Sequence, residues 1–77
     1  MKVKVYSTPL CPYCRRLKEF LRENGIEFED VNVAEDRDAL MEMIRKSGQM
    51  AVPVTDINGR IIVGFDTKAL KKALGFK

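Results

Sequence analysis

Two cysteines, Cys11 and Cys14, are separated by Pro12 and Tyr13 and lie between a strand-like run and a segment with helical spacing. Residues 2–7 alternate, with Val3, Val5 and Tyr6, and predict a first strand. Residues 12–24 place Cys14, Leu17, Phe20 and Leu21 on one face of a helix. With two residues between them, the two sulfurs reach each other across the first turn of that helix. A helix N-terminus offers unpaired N–H groups and the positive end of the macrodipole, so a thiolate at Cys11 is stabilised there. Pro12 suits the first helical position, where a missing N–H costs nothing. Taken alone, these residues describe a reversible dithiol/disulfide centre.

Downstream, Asn24-Gly25 is a helix stop, and residues 26–33 read as a second strand whose alternation slips at Glu29-Asp30. If the two strands are parallel neighbours, the helix between them completes a right-handed βαβ unit. A second helix is predicted over residues 36–47, with Leu40, Met43 and Ile44 buried and Ser47-Gly48 ending it. Residues 52–57 and 61–63 flank Asn58-Gly59, a hairpin signal for a type I′ turn. Asp66 or Thr67 caps a last helix with Leu70, Ala73 and Leu74 as its apolar stripe. The expected fold class is therefore α/β, in the order βαβαββα. Its four-stranded mixed sheet would be flanked by three helices, the first and third on one face and the second on the other. Residues 1–77 are expected to form one domain.

Both cysteines fall in a single motif, so the disulfide is expected to be used rather than structural. With no histidine and no second cysteine pair, a zinc site within one chain lacks ligands, and no metal is expected. The net charge of +3 is mixed along the chain and argues against nucleic acid. The apolar runs are too short to span a bilayer, and the first residues run into a strand rather than a signal peptide. A cytoplasmic monomer is the expectation.

Three segments carry a resemblance to the glutaredoxin branch of the thioredoxin superfamily, over essentially the whole chain. Cys11-Pro12-Tyr13-Cys14 is the dithiol glutaredoxin motif; Ala51-Val52-Pro53 resembles the family's Thr-Val-Pro, whose proline is cis; Gly64-Phe65-Asp66 resembles the glycine-then-acid segment before the last helix. The resemblance implies a thioredoxin-like (glutaredoxin) fold and a thiol–disulfide oxidoreductase. Its substrates would be protein disulfides or glutathione mixed disulfides, with no cofactor and with glutathione as a co-substrate. The departures bear on the reductant. Many glutathione-using relatives carry a lysine where Thr8 stands, and Ala51 and Val63 replace a threonine and a glycine. Losing that lysine removes one partner of a glutathione carboxylate, worth about 1–2 kcal/mol. Phe65 is more like the redoxins that serve ribonucleotide reductase and take electrons from thioredoxin reductase. An electron donor to ribonucleotide reductase or a peroxidase is thus one alternative, and a dimer bridging an iron–sulfur cluster through Cys11 another.

Within the resemblance, Cys11 is the attacking thiolate and Cys14 the resolving thiol. Pro12 and Tyr13 shape the rim. Pro53 is expected beside Cys11, with the N–H and C=O of Val52 free to pair with substrate backbone. Ala51, Val52, Pro53, Gly64, Phe65 and Asp66 form the expected substrate- or glutathione-binding segment. Gly64 would permit close backbone approach beside the site, Phe65 either covers the site or joins the core, and Asp66 caps the last helix, binds a substrate's amino group, or does both. Arg15, Arg16 and Lys18 read as a solvated helix face, with stabilising the thiolate or guiding acidic partners as the alternative. Met43 is read as core and Met41 as surface or partly buried, and Met50, next to Ala51-Val52-Pro53, could add apolar contact for a partner without being assigned a function.

Overall fold

Hydrophobic alternation in the first strand sets up both layers of the molecule. In the computed structural model, which describes residues 2–75, β1 (Val3–Ser7) is an interior strand of a four-stranded sheet ordered β2-β1-β3-β4. Its neighbours are β2 (Glu29–Asn32), which runs parallel to it, and β3 (Val54–Ile57), which runs antiparallel; β4 (Arg60–Val63) closes a hairpin with β3. Because successive strand residues point to opposite faces, Val3 and Val5 enter one core while Tyr6 enters the other.

Helices α1 (Pro12–Glu23) and α3 (Thr67–Leu74) cover the first face, where Leu17, Leu21, Leu70 and Leu74 are buried against Val3, Val5, Ile57 and Ile62. Helix α2 (Arg37–Ser47) covers the other with Ala39 and Met43. Complete burial of a leucine on this scale is worth about 1.5–3 kcal/mol. The βαβαββα order and the division of helices between the faces agree with the sequence reading.

The differences lie at the element ends. The second strand begins at Glu29 rather than residue 26, and the third at Val54 rather than residue 52. Ile26 and Phe28 still pack against the α1/α3 core, so their hydrophobicity reports burial without ladder pairing. On α2, Ala39 joins Met43 as a fully buried residue, while Leu40 and Ile44 are only partly covered. Asp36 and Asp66 cap α2 and α3 by accepting the N–H groups of Ala39 (3.0 Å) and Ala69 (3.1 Å), each worth about 1 kcal/mol. Asn58 and Gly59 both have positive φ, +51° and +93°, as a type I′ turn requires.

A polar clasp ties α2 to the sheet. The buried Tyr6 hydroxyl bonds Glu42 and accepts from Lys46 Nζ (2.9 Å), which also meets Asp56 at 2.7 Å and Glu42 at 3.0 Å; Lys4 reaches Glu42 at 3.0 Å. The Tyr6 hydrogen bond first, then Lys46 and Lys4, pull the Glu42 carboxyl from 4.5 down to about 2. The folded chain thus favours the carboxylate, and this contribution is complete above about pH 4.5 and is lost as pH falls toward 2. The melting temperature is expected to drop more steeply between pH 4.5 and 2 for the unmodified protein than for Glu42→Gln, as calorimetry at several pH values will show.

Thr55, fully buried on the α1/α3 side between Val5 and Ile62, has a hydroxyl with no hydrogen-bond partner among the described residues. Thr55→Val keeps the shape and removes the unpaired group. Stability is expected to rise by about 1 kcal/mol in urea unfolding.

Candidate active site

One end of the sheet gathers every segment that the sequence singles out. β1 ends at Ser7 and leads through Thr8, Pro9 and Leu10 to Cys11. Tyr6 pairs with Val54, and Val54 with Val63, so Pro53 and Gly64 lie at that same end. Gly64 N–H donates to the Pro53 carbonyl at 2.8 Å, which fastens the Gly64-Phe65-Asp66 segment to the Ala51-Val52-Pro53 segment.

Cys11 is the N-cap of α1, with extended backbone (φ −107°, ψ 109°) and Pro12 as the first helical residue. The Cys11 sulfur accepts the N–H of Cys14 at 3.1 Å, the place an Asp or Ser oxygen fills in other helices. The first turn carries no acidic side chain, so no carboxylate competes with a thiolate there for the helix dipole. Both cysteines are free thiols, Cys11 partly exposed and Cys14 buried at 1% exposure. Burial above all, followed by its hydrogen bond with Cys11, pushes the Cys14 thiol up from 9.0 to about 11; the Thr8 backbone and the Lys18 charge pull against this shift. The two sulfurs are therefore unlike: one is accessible and holds a helix N–H, and the other is shielded and reluctant to ionise.

The Val52–Pro53 bond is cis and Pro53 is buried, as the resemblance implies. Among the described residues neither the N–H nor the C=O of Val52 is bonded within the chain, which leaves an edge open for an extended peptide. Gly64 has φ +81°, and a Cβ there would meet no atom of the chain within 4 Å. The left-handed backbone at this position favours glycine by itself. Phe65 belongs to the core, packed edge-on against Phe20 with ring centroids 6.1 Å apart. Asp66 Oδ1 accepts the Ala69 N–H, so the expected capping of α3 is made. Tyr13 stands on the rim, 58% exposed, with the Arg16 guanidinium 5.6 Å above its ring.

Two features go beyond the sequence reading: the exposure of Leu10 beside Met50, and the pairing of Lys18 across to β2. Leu10 and Met50 are 94% and 75% exposed, and Met50 lines an apolar cavity of about 260 Å³ with Thr8, Val33, Ala34, Leu40, Met43, Ala51 and Val52. Lys18 is not part of a solvated face: it pairs with Asp30 of β2 at 2.9 Å, and Asp30 also accepts the Ser7 hydroxyl at 3.0 Å. The slip at Glu29-Asp30 was the available signal, since it turns Asp30 toward α1. Among the described residues no cluster of three or more His, Cys, Asp or Glu side chains is placed to hold a metal ion, and no helix is long and apolar enough to cross a membrane.

Comparison with known proteins places this geometry in a family. The glutaredoxin family model matches residues 3–62, and the chain belongs to the glutaredoxin family. An uncharacterised glutaredoxin-like protein of 8.6 kDa from the rubredoxin operon of Clostridium pasteurianum is 47% identical, over 94% of this chain and 96% of its own length. A variant of the thioredoxin-like protein BC3987 superposes with a TM-score of 0.92 at 30% identity, covering 99% of this chain and 97% of its own. The NrdH-redoxin of Escherichia coli, a glutaredoxin-like protein described as having a thioredoxin-like activity profile, gives a TM-score of 0.83 at 25% identity, covering 94% and 93%. Thiol redox function is supported at the level of the family.

Iodoacetamide at neutral pH is expected to modify Cys11 at least about tenfold faster than Cys14, because the thiolate is the nucleophile and only Cys11 is accessible. Peptide mapping of partly alkylated protein reads the ratio.

Proposed function

We propose that the chain is a thiol–disulfide oxidoreductase in which Cys11 attacks a protein disulfide or a glutathione mixed disulfide and Cys14 resolves the intermediate. The observation that carries this reading is the inequality of the two sulfurs: Cys11 caps α1 and holds the Cys14 N–H at 3.1 Å, while Cys14 is buried beneath it. A thiolate at the cap attacks one sulfur of the substrate disulfide, and the other substrate sulfur leaves and takes a proton. Cys14 then displaces the substrate from Cys11, leaving Cys11–Cys14 as a disulfide and the substrate as two thiols. Pro12 and Tyr13 form the rim, and the open edge at Val52, next to Pro53, aligns the substrate backbone. Ala51, Gly64 and the Phe65-Asp66 turn complete the wall. The chemistry needs no bound cofactor, and a cytoplasmic setting suits a dithiol that must be returned to its reduced form.

A second reading concerns the reductant. Thr8 supplies no cation for a glutathione carboxylate, and Leu10, Tyr13 and Met50 present exposed apolar surface around the sulfurs. Those features favour a protein partner over a small peptide. They fit a redoxin that is recharged by a flavoprotein such as thioredoxin reductase and passes electrons to ribonucleotide reductase or a peroxidase. The likeness to a redoxin with a thioredoxin-like activity profile supports the same reading.

NADPH consumption by the oxidised protein, with glutathione plus glutathione reductase in one assay and thioredoxin reductase in the other, tests both readings, with Cys11→Ser as the blank. Turnover that vanishes in Cys11→Ser is expected, and faster turnover with thioredoxin reductase supports the redoxin reading. Faster turnover with glutathione makes Thr8 an inconsequential substitution. Equal rates for the protein and Cys11→Ser would overturn the dithiol mechanism.

A further inference from the structure

The resolving step poses a physical difficulty. Cys14 must become a thiolate before it can attack, yet it is 1% exposed and its thiol is held near 11, chiefly by burial. The structure places one cation against this problem. Lys18 follows Cys14 by four residues, one helical turn along the same face of α1. Its ammonium is fixed at 2.9 Å from Asp30, its side chain is only 18% exposed, and its charge favours the ionised form of Cys14. Asp30 is itself oriented by the buried Ser7 at 3.0 Å. These three residues, with Thr8, Pro9 and Asn32, line a cavity of about 260 Å³ in front of the head of α1.

We infer that Lys18, held in place by Asp30 and Ser7, is a positioning residue for the resolving step, promoting loss of the Cys14 proton once Cys11 is bound to substrate. The inference rests on the dithiol reading and adds the residue that sets the rate of its second half. Within the mixed disulfide, Cys14 gives up its proton, which passes to solvent, and the Lys18 ammonium stabilises the resulting thiolate. The Cys14 lone pair forms the Cys14–Cys11 bond as the Cys11–substrate bond breaks, and the departing sulfur takes a proton from solvent. The two cysteines lose two electrons and the substrate disulfide gains them.

The charged and titratable groups around Cys14 are consistent with this assignment. Cys11 faces it across the helix turn and, once joined to substrate in the mixed disulfide, carries no charge there. The loop before α1 contributes the Thr8 backbone, and β2 contributes the Asp30 carboxylate, paired with Lys18 at 2.9 Å. Arg15 and Arg16 are exposed, and Asp66 at the head of α3 is exposed and occupied by the Ala69 N–H. Lys18 is left as the cation that acts on the buried sulfur.

An aromatic disulfide that releases a coloured thiolate separates the two steps. The first equivalent of colour reports attack by Cys11, and the second reports resolution by Cys14. Stopped-flow traces are compared between pH 6 and 10 for the unmodified protein, K18M, K18R and K18M/D30N. Resolution in K18M is expected to be about tenfold slower at neutral pH, the factor that accompanies one unit of thiol acidity, with its pH profile displaced to the alkaline side. The first phase should be unchanged. K18R should resolve at close to the normal rate, and K18M/D30N should recover part of the loss because it leaves no unpaired carboxylate. Where K18M lacks a cooperative thermal transition, K18R and K18M/D30N carry the comparison. An unchanged second phase in K18M or in the double variant, or a K18R as slow as K18M, would overturn the inference while leaving the dithiol reading intact. Absence of any first phase in the unmodified protein would overturn that reading and the inference together.

Discussion

Everything at the active end depends on one contact, the Cys14 N–H donated to the Cys11 sulfur at 3.1 Å. It makes the Cys11 side chain part of the helix cap, so the position of that sulfur is set by α1 and not by a loop. Leu17 and Leu21 then anchor α1 against Val3 and Val5, the strand that leads directly into the cysteine loop. Placement on packed elements fixes the sulfur to within the tolerance of the core. The same helix holds Cys14 inward, so accessibility and shielding have a single geometric origin.

The opposite face solves a different problem. A 77-residue chain has a thin hydrophobic layer, and α2 contributes only Ala39 and Met43 as buried residues, with Leu40 and Ile44 partly covered. Polar contacts through Tyr6, Lys4, Glu42, Lys46 and Asp56 add to this attachment. Each pair is partly exposed and worth little alone, because solvent screens it. Joined on a buried tyrosine hydroxyl, they fix the register of α2 against β1 and β3. The Ala51-Val52-Pro53 segment begins three residues beyond Gly48, the C-cap of α2. The clasp therefore bears on how that segment is presented, although it lies at the far end of the sheet's α2 face.

Much of this was readable in the chain, because the signals involved are local. A cap with proline behind it, an Asn-Gly turn and apolar spacing each specify a short piece of backbone. The family motifs then supply the order in which the pieces pair. The parts that were not legible depend on what a residue meets across the sheet. Ile26 and Phe28 extended the apparent second strand because burial and ladder pairing leave the same hydrophobic mark. The φ of +81° at Gly64 is a backbone property that no pattern of neighbouring residues announces. Lys18 looked like one cation among several on a helix surface. Only the position of Asp30, on a strand that alternation left ambiguous, distinguishes it from Arg15 and Arg16.

The use of a cysteine as helix cap couples the oxidation state to the stability of the fold. When Cys11 becomes half of a disulfide, its sulfur takes on a second bond, and the contact by which it caps α1 is no longer that of a free thiol. By thermodynamic linkage, whatever difference in capping separates the reduced from the oxidised fold reappears, equal in size, in the balance between the two states of the Cys11–Cys14 pair. For a two-electron couple, each 1.4 kcal/mol of that difference is equivalent to about 30 mV. Residues around the first turn of α1 that never touch either sulfur can thereby shift that balance.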